Sequence, residues 1–167
     1  MLYEVAGDIL LSRAAAIAHG VSPNDNFGQG LALSLREQWP ALYQDFRHYC
    51  KTQKAEAGGL WTWAGADGRR IVNLFTQEPP KSAGGHPGRA TLQHVGHALR
   101  ALHGVVEAEK ISSLALPRLA TGVGGLEWSA VQPLLEKHLG SLKIPVIVYT
   151  RYEQGLAAKE PDRKSVV

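Results

Sequence analysis

Three glycines stand within four residues, at positions 122, 124 and 125, between an apolar segment and a predicted helix. Glycines at such a junction let consecutive backbone N–H groups point towards one anion, for example a diphosphate. The segment is neither a Walker A motif nor a dinucleotide-binding fingerprint, because no G-K-[ST] follows and no G-x-G-x-x-G precedes a helix. We therefore predict that residues 117–128 form a phosphate-binding loop of another type, with a plain flexible connection as the alternative.

A second polar segment, residues 19–30, lies between a predicted buried strand and a predicted helix. Gly28 and Gly30 allow the backbone to approach a bound group closely. The helix that begins there offers free N–H groups and the positive end of its dipole. We predict that this segment faces the same ligand. A long capped loop that binds nothing is the alternative.

Polar residues also follow two other predicted strands. Asn73, Thr76 and Gln77 stand at the end of one strand, and Asp8 follows the first strand of the chain. The carboxyl ends of parallel strands meet at one edge of a sheet, and ligands bind just beyond that edge. We therefore expect these residues to share one crevice, although Asp8 could instead only cap a turn.

Four polar side chains in these segments are candidates for catalysis: His19, Asn24, Asp25 and Gln77. The pKa range of histidine suits His19 for proton transfer if the ring is partly exposed. Polar groups of buried loops usually satisfy nearby backbone donors and acceptors. A purely structural role is therefore the alternative for each of the four.

The elements that position these residues alternate between strand and helix. Strands are predicted near residues 2–5, 14–18, 60–63, 70–75, 111–116 and 144–149, and helices near 28–39, 40–54, 90–103 and 129–139. The third helix is expected to end at Gly104, and Pro133 is expected in the first turn of the last helix. Alternation of this kind predicts an α/β sandwich around a mixed, largely parallel sheet.

Taken in order, these segments resemble a macrodomain, the ADP-ribose-binding fold, and are most similar to the terminal ADP-ribose protein glycohydrolases and their bacterial relatives. The matching pieces are Gly7-Asp8-Ile9-Leu10, Ala18-His19, Phe27-Gly28-Gln29-Gly30-Leu31-Ala32, Asn73-Leu74-Phe75-Thr76, Pro117-Arg118-Leu119 with Gly122 to Leu126 and Trp128, and Val148-Tyr149-Thr150. The resemblance implies a three-layer α/β/α macrodomain sandwich over residues 1–152. We expect the polar C-terminal tail, residues 153–167, to be mobile or loosely packed from about Gly155.

The resemblance also implies where ADP-ribose would lie. Asp8 and Ile9 would hold the adenine edge, and the residues after the last strand would border it. The segment 19–30 would line the distal ribose and one side of the diphosphate, and the segment 119–126 would wrap the phosphates with N–H groups. The implied ligand-binding residues are Asp8, Ile9, His19, Gly20, Val21, Phe27, Gly28, Gly30, Thr76, Pro117, Leu119, Ala120, Thr121, Gly122, Val123, Gly124, Gly125, Leu126, Thr150 and Tyr152.

The sequence departs from those glycohydrolases at their catalytic pair, a lysine in the segment matching Thr76-Gln77 and an aspartate in the glycine loop. The matching positions here are Gln77 and Gly124. A lysine can attack a sugar carbon and a carboxylate can shuttle a proton, whereas glutamine and glycine do neither. The resemblance therefore implies ADP-ribose binding without the lysyl-adduct mechanism.

Two functions remain as expectations. The first is a hydrolase that releases ADP-ribose from an acidic side chain, or from acylated ADP-ribose, by another route. The second is a non-catalytic reader module that binds ADP-ribose without turnover. We favour the hydrolase. In either case the expected partner is ADP-ribose itself or an ADP-ribosylated protein or nucleic acid.

Composition narrows the classes of protein to which the chain could belong. The 167 residues carry a net charge of +3 without a long basic block, which disfavours a sequence-independent nucleic-acid-binding domain. Cys50, the one cysteine, cannot form an internal disulfide, and no apolar run approaches the roughly 20 residues of a membrane span. His94 and His97 lack a third metal ligand beside them. We expect a cytoplasmic monomer with no membrane contact, cofactor or metal.

Overall fold

Six strands form one sheet in the computed structural model, which describes residues 1–161 of the 167-residue chain. A 3-10 turn, Ile9–Leu11, follows the first strand. The elements in chain order are β1 (Leu2–Gly7), β2 (Ala16–Val21), α1 (Gly30–Gln38), α2 (Pro40–Thr52), β3 (Leu60–Ala64), β4 (Arg70–Phe75), α3 (Leu92–Ala108), β5 (Leu114–Pro117), α4 (Trp128–Leu139) and β6 (Val146–Tyr152).

The sheet is mixed and largely parallel, as the alternation of elements predicts. Its strand order is β1-β6-β5-β2-β4-β3, and only β3 runs antiparallel to its neighbour, β4, within the described residues. The β3–β4 pair forms a hairpin, and it turns at Ala66 to Gly68. The central strands β5, β2 and β4 end at the same edge, so the segments that follow them lie side by side.

Helices cover both faces of the sheet, which confirms the three-layer sandwich. Neighbouring strand residues point to opposite faces. Accordingly Ala16 and Ala18 join the cluster formed with α3 and α4, while Ile17 joins the cluster formed with α1 and α2. All three residues are fully buried. The two cores hold the strand ends in fixed positions relative to each other, because interiors of this kind are close-packed.

Strand β2 extends further than predicted and changes the setting of His19. The apolar run suggested a strand that ends at Ala18, but the strand continues to Val21 and pairs His19 with Asn73 and Val21 with Phe75. Hydrogen bonding to β4 satisfies the backbone of these residues, so the strand continues past the apolar run. His19, Gly20 and Val21 therefore belong to the sheet and not to the loop.

Three other boundaries differ from expectation. Helix α3 continues past Gly104 to Ala108, because Val106 is buried against the core. Pro133 is the sixth residue of α4 and lies beyond the first turn; its missing N–H affects only the carbonyl of the exposed Ser129. Strand β6 runs to Tyr152, so Thr150 and Tyr152 lie within the strand, where pairing with β1 extends it.

The C-terminal segment 153–160 is packed against the first strand, contrary to the expected loose tail. The N–H of Asp8 donates to the carbonyl of Leu156 at 2.7 Å. The Glu160 carboxylate accepts hydrogen bonds from the Ser12 hydroxyl at 2.6 Å and from the Tyr149 hydroxyl at 2.7 Å. Polar composition suggested mobility, but these polar groups find partners on the domain. Residues 162–167 of the predicted tail lie outside the described residues.

Candidate functional site

A cleft of about 230 Å³ opens at the carboxyl edge of β2, β4 and β5. One wall is the glycine-rich segment after β5, and the facing wall is the segment that leads into α1. Eleven predicted site residues line this cleft: His19, Gly20, Asp25, Gly30, Gln77, Pro117, Leu119, Ala120, Gly122, Val123 and Gly124. The sheet thus brings together segments that are about 100 residues apart in the chain.

The glycine-rich segment folds into a tight turn that leaves backbone donors unused. The N–H of Gly125 donates to the carbonyl of Gly122 at 3.1 Å, and the N–H of Leu126 donates to that of Ala120 at 2.9 Å. Ala120 adopts the left-handed region, with φ 62°. Within residues 1–161, the N–H groups of Gly122, Val123 and Gly124 have no acceptor. Such a turn can bind an anion through its amides.

The first turn of α1 forms the facing wall. Gly30, Leu31 and Ala32 line the cleft, and Gln29 precedes them without a capping side-chain hydrogen bond. The first N–H groups of a helix have no partner inside the helix, and they carry the positive end of its dipole. Two sets of backbone donors without partners in their own segments therefore line the same cleft, an arrangement suited to a diphosphate.

Asp25 has a structural role in the segment that leads into α1. Its carboxylate accepts hydrogen bonds from the N–H of Ser22 at 3.0 Å and from the N–H of Phe27 at 2.9 Å. Both oxygens are therefore directed at the loop's own backbone. Phe27 has φ 51° and is fully buried, so these hydrogen bonds hold the loop in a strained conformation.

His19 is buried and paired with Asn73. Its Nε2 lies 2.7 Å from Oδ1 of Asn73, while Nδ2 of Asn73 lies 3.1 Å from the carbonyl oxygen of Trp61. Because Asn73 uses its amide as a donor elsewhere, Nε2 of His19 must carry the proton, which leaves Nδ1 as the acceptor. Burial lowers the pKa of His19, although the Asn73 hydrogen bond and the Asp25 charge act in the opposite direction. The imidazole is therefore neutral at neutral pH.

The two positions that match the glycohydrolase catalytic pair have no nucleophile and no carboxylate. Nε2 of Gln77 donates to the carbonyl of Gly88 at 3.0 Å, and the residue is 4% exposed. A Cβ at Gly124 would lie 2.6 Å from the carbonyl oxygen of Ala120 and 2.9 Å from Cβ of Ala90. No side chain fits at position 124 unless the loop moves.

The adenine end implied for Asp8 is covered by the C-terminal segment. Oδ1 of Asp8 accepts a hydrogen bond from the N–H of Leu10 at 3.0 Å, and Oδ2 accepts one from the N–H of Gly155 at 2.9 Å. Gly7, with φ 155°, allows close contact, because a Cβ there would lie 2.8 Å from Cβ of Ala158. A ligand that reaches Asp8 would have to share the carboxylate with these two N–H groups.

The remaining predicted residues lie outside the lining of the cleft. Val21 and Phe27 are core residues, and Asn24 lines a neighbouring cleft, a position that gives no support to a catalytic role. The buried hydroxyl of Thr76 has no hydrogen-bond partner among residues 1–161, and a Cβ at Gly20 would lie 2.7 Å from its Oγ1. The others that do not line the cleft are Asp8, Ile9, Gly28, Thr121, Gly125, Leu126, Thr150 and Tyr152.

The cleft also contains residues that the sequence analysis did not assign to it. Arg118 is exposed within the lining, with its guanidinium 5.9 Å from the ring of Trp128. Arg118 is visible in the sequence as a cation inside the glycine-rich segment, but a prediction of phosphate binding by backbone N–H groups gives its side chain no role. The other unassigned lining residues are Asn26, Gln29, Leu31, Ala32 and Pro87.

Outside this cleft, residues 1–161 contain neither a metal-binding cluster nor an activated cysteine. No cluster of three histidine, cysteine, aspartate or glutamate side chains there could hold a metal ion. Burial raises the pKa of the Cys50 thiol, which disfavours the nucleophilic thiolate. Among the described helices, none is both long and apolar enough to cross a membrane.

Comparison with known proteins gives a consistent result. No family model matches the chain. A fusion protein of Thermosipho africanus, a DNA ADP-ribosyl transferase joined to a DNA ADP-ribosyl glycohydrolase, is 31% identical over 90% of this chain and 42% of its own length. The chain thus spans about two-fifths of that relative.

Solved structures agree with the sequence match. The macrodomain of Thermus aquaticus DarG has a TM-score of 0.78 and 27% identity, over 90% of this chain and 98% of that structure. Thermosipho africanus DarTG in complex with ADP-ribose has a TM-score of 0.77 and 27% identity, over 93% of this chain and 42% of that one. With the six-stranded sheet and the cleft at its carboxyl edge, these matches show that the chain belongs to the macrodomain family.

Proposed function

We propose that this macrodomain binds ADP-ribose in the cleft and releases it from an acceptor by hydrolysing the bond that joins the two. The observation that carries the proposal is that two groups of backbone donors line one cleft, those of the turn at residues 122–124 and those of the first turn of α1. Amides held by a rigid sheet edge bind a diphosphate without lysine. The ADP-ribose complex of a structural relative supports the same ligand.

Hydrolysis would use water and the neutral His19. The oxygen of a water molecule adds to the anomeric carbon of the distal ribose, and the bond from that carbon to the acceptor breaks. The acceptor takes one proton, and free ADP-ribose keeps the new hydroxyl. His19 lines the cleft although it is only 2% exposed, and its Nδ1 is the acceptor nitrogen because the Asn73 hydrogen bond fixes the proton on Nε2. Nδ1 can take this one proton from the water and pass it to the departing acceptor. Arg118 adds positive charge beside the phosphates.

The acceptor belongs to one of two classes, an acidic protein side chain or a nucleic acid. The Thermosipho relative is named as a DNA ADP-ribosyl glycohydrolase fusion, which supports a nucleic-acid acceptor. The net charge of +3 without a long basic block disfavours a dedicated nucleic-acid-binding domain and leaves room for recognition through a few charges beside the cleft. We further propose that the protein acts as a monomer in the reducing cytoplasm, where its single cysteine needs no partner.

A reader without turnover is the second candidate. Gln77 donates to backbone, and position 124 has no room for a carboxylate, so neither member of the glycohydrolase pair is present. A reader would have the same cleft and the same affinity for ADP-ribose, and would differ only in the absence of release.

Two measurements test the proposal. Calorimetry with ADP-ribose should give a Kd of about 1 μM to about 100 μM, corresponding to roughly 5–8 kcal/mol of binding free energy. The protein is then incubated with an ADP-ribosylated single-stranded oligonucleotide and with glutamate-linked ADP-ribosylated protein. Release of ADP-ribose above a heat-killed control supports the hydrolase. Binding without release from either substrate would leave the reader as the correct function.

A further inference from the structure

A second cleft adjoins the candidate site and shares a wall with it. It measures about 530 Å³ and lies between α2 and the segment 80–84. Asp25 and Asn26 line both clefts, and the loop that contributes Gln77 and Pro87 to the first cleft contributes residues 80–84 to the second. The two clefts are therefore bounded by the same two loops.

The second cleft carries unpaired positive charge. Arg47 and Lys51, one turn apart on α2, face it from one side, and Lys81 faces it from the other. All three side chains are exposed, and within residues 1–161 none forms an ion pair. Asp25 is the acidic residue of the lining, and its carboxylate is directed at the backbone of its own loop.

The shared wall is rigid. The guanidinium of Arg36 lies 4.0 Å from the centre of the Tyr43 ring, and its Nη1 donates to the carbonyl of Asn26 at 3.0 Å. Oδ1 of Asn26 accepts a hydrogen bond from the N–H of Gly28 at 2.9 Å. Asn26 is thus held by Arg36 of α1 on one side and by Gly28 of its own loop on the other, so the wall that the two clefts share has a defined position.

We propose that the second cleft binds the acceptor, a single-stranded nucleic acid whose phosphodiester groups contact Arg47, Lys51 and Lys81. This inference rests on the proposed function. With the diphosphate between the glycine turn and α1, the distal ribose lies towards His19 and Gln77, next to the shared wall. An acceptor on its anomeric carbon then continues into the second cleft.

The charges favour a polyanion over a peptide. Exposed lysine and arginine side chains bind the phosphates of a nucleic-acid backbone, lysine as a point charge and arginine through its planar guanidinium, and these contacts tolerate any base sequence. A peptide would gain main-chain hydrogen bonds only from an open strand edge. The sheet edges are β1 and β3, and neither strand lines the cleft. A strand with phosphates on both sides of the modified nucleotide uses all three cations at once.

The test compares two triple variants with the same change in charge. R47Q/K51Q/K81Q removes the cations of the second cleft, and R100Q/K110Q/K143Q removes three exposed cations outside both clefts. Each protein is titrated with free ADP-ribose and assayed with an ADP-ribosylated oligonucleotide of about ten nucleotides. The second readout is kcat/KM for release, or affinity if nothing is released.

We expect the first variant to bind free ADP-ribose like the wild type and to lose most of the preference for the oligonucleotide. For three phosphate contacts on a single strand, the logarithm of the affinity falls by about 2 for each unit of the logarithm of the salt concentration. The wild-type kcat/KM for release, or the affinity for the oligonucleotide, should therefore fall roughly twentyfold between about 50 and about 200 mM salt. The first variant should lose this dependence, and the control variant should retain it.

Several outcomes overturn the inference. If both triple variants lose kcat/KM or affinity for the oligonucleotide to the same extent, the effect comes from net charge alone. If the first variant loses as much towards an ADP-ribosylated acidic peptide as towards the oligonucleotide, the cleft binds protein acceptors. Weaker binding of free ADP-ribose in the first variant would place the cations in the nucleotide site instead. If the wild type binds no ADP-ribose, the proposed function fails as well; if it binds ADP-ribose without preferring the oligonucleotide, only the acceptor site fails.

Discussion

At the scale of single residues, the chemistry of the cleft comes mostly from backbone. The turn at residues 122–124 presents N–H groups, and its one side chain larger than hydrogen is that of Val123. Ligand binding by this loop should therefore be sensitive to substitutions that add bulk or charge at a glycine with open space around it. Gly122 is such a position, because a Cβ there would meet no atom within 4 Å.

We predict that Gly122→Glu abolishes ADP-ribose binding, with a loss of affinity of at least about a hundredfold, because a carboxylate in the cleft repels the diphosphate. The open space means that the variant should keep the melting temperature of the wild type. Gly122→Ala is the matched control and should retain binding within a few fold. Calorimetry and thermal unfolding measure both effects, and normal ADP-ribose affinity in Gly122→Glu would show that the loop is wrongly assigned.

The second residue-scale prediction concerns the buried His19. Burial lowers its pKa below the ordinary value of 6.5, so below pH 6.5 the unfolded chain takes up a proton that the folded chain does not. Stability should therefore fall as pH decreases below 6.5, with a contribution of up to about 1.4 kcal/mol per pH unit. Above pH 6.5 the His19 contribution is constant.

Denaturant unfolding at about pH 5 and about pH 7.5 measures this effect, with His19→Gln as the comparison, because glutamine keeps a donor towards Asn73 but does not titrate. The wild type should lose more stability than the variant on acidification. The same decrease in both proteins would mean that His19 is protonated in the fold.

At the scale of elements, the C-terminal segment contributes to the domain. Glu160 accepts hydrogen bonds from the Ser12 hydroxyl, the Arg13 N–H and the Tyr149 hydroxyl. Burial, reinforced by Glu160, raises the pKa of Tyr149, so its hydroxyl remains a donor throughout the physiological range. The segment thereby closes over the 3-10 turn and Asp8.

We predict that Glu160→Ala lowers the free energy of unfolding by about 1–3 kcal/mol, because three donors lose their acceptor. Lys159→Ala, one residue earlier and exposed, is the control and should change stability by less than about 0.5 kcal/mol. Urea unfolding compares the two. Equal stabilities for the two variants would mean that the segment does not pack as described.

The elements also show what the sequence could predict and what it could not. The apolar runs predicted the six strands and four α-helices that residues 1–161 contain, because each has a face buried in one of the two cores. The ends of β2 and β6 were predicted too short, because partner strands extend them beyond the apolar residues. Packing of the tail depends on Glu160, whose partners lie about 150 residues earlier and nearby on β6, and no local pattern reveals such contacts.

At the scale of the whole molecule, the parallel arrangement explains why the predicted segments meet. Strands β2, β4 and β5 are neighbours, so the segments after them converge without any contact being visible in the sequence. Side-chain direction could not be predicted in the same way. Asn24 and Asp25 are adjacent in the chain, yet only Asp25 lines the first cleft, and the second cleft was not foreseen.

The most direct test of the central claim is a titration of isotope-labelled protein with ADP-ribose, followed by amide NMR. If backbone donors hold the diphosphate, the amide signals of Gly122, Val123 and Gly124, and those of Gly30 and Leu31, should shift the most. Adenosine, which lacks phosphate, should leave them in place. Large shifts elsewhere, with these five amide signals unmoved at saturation, would contradict the account.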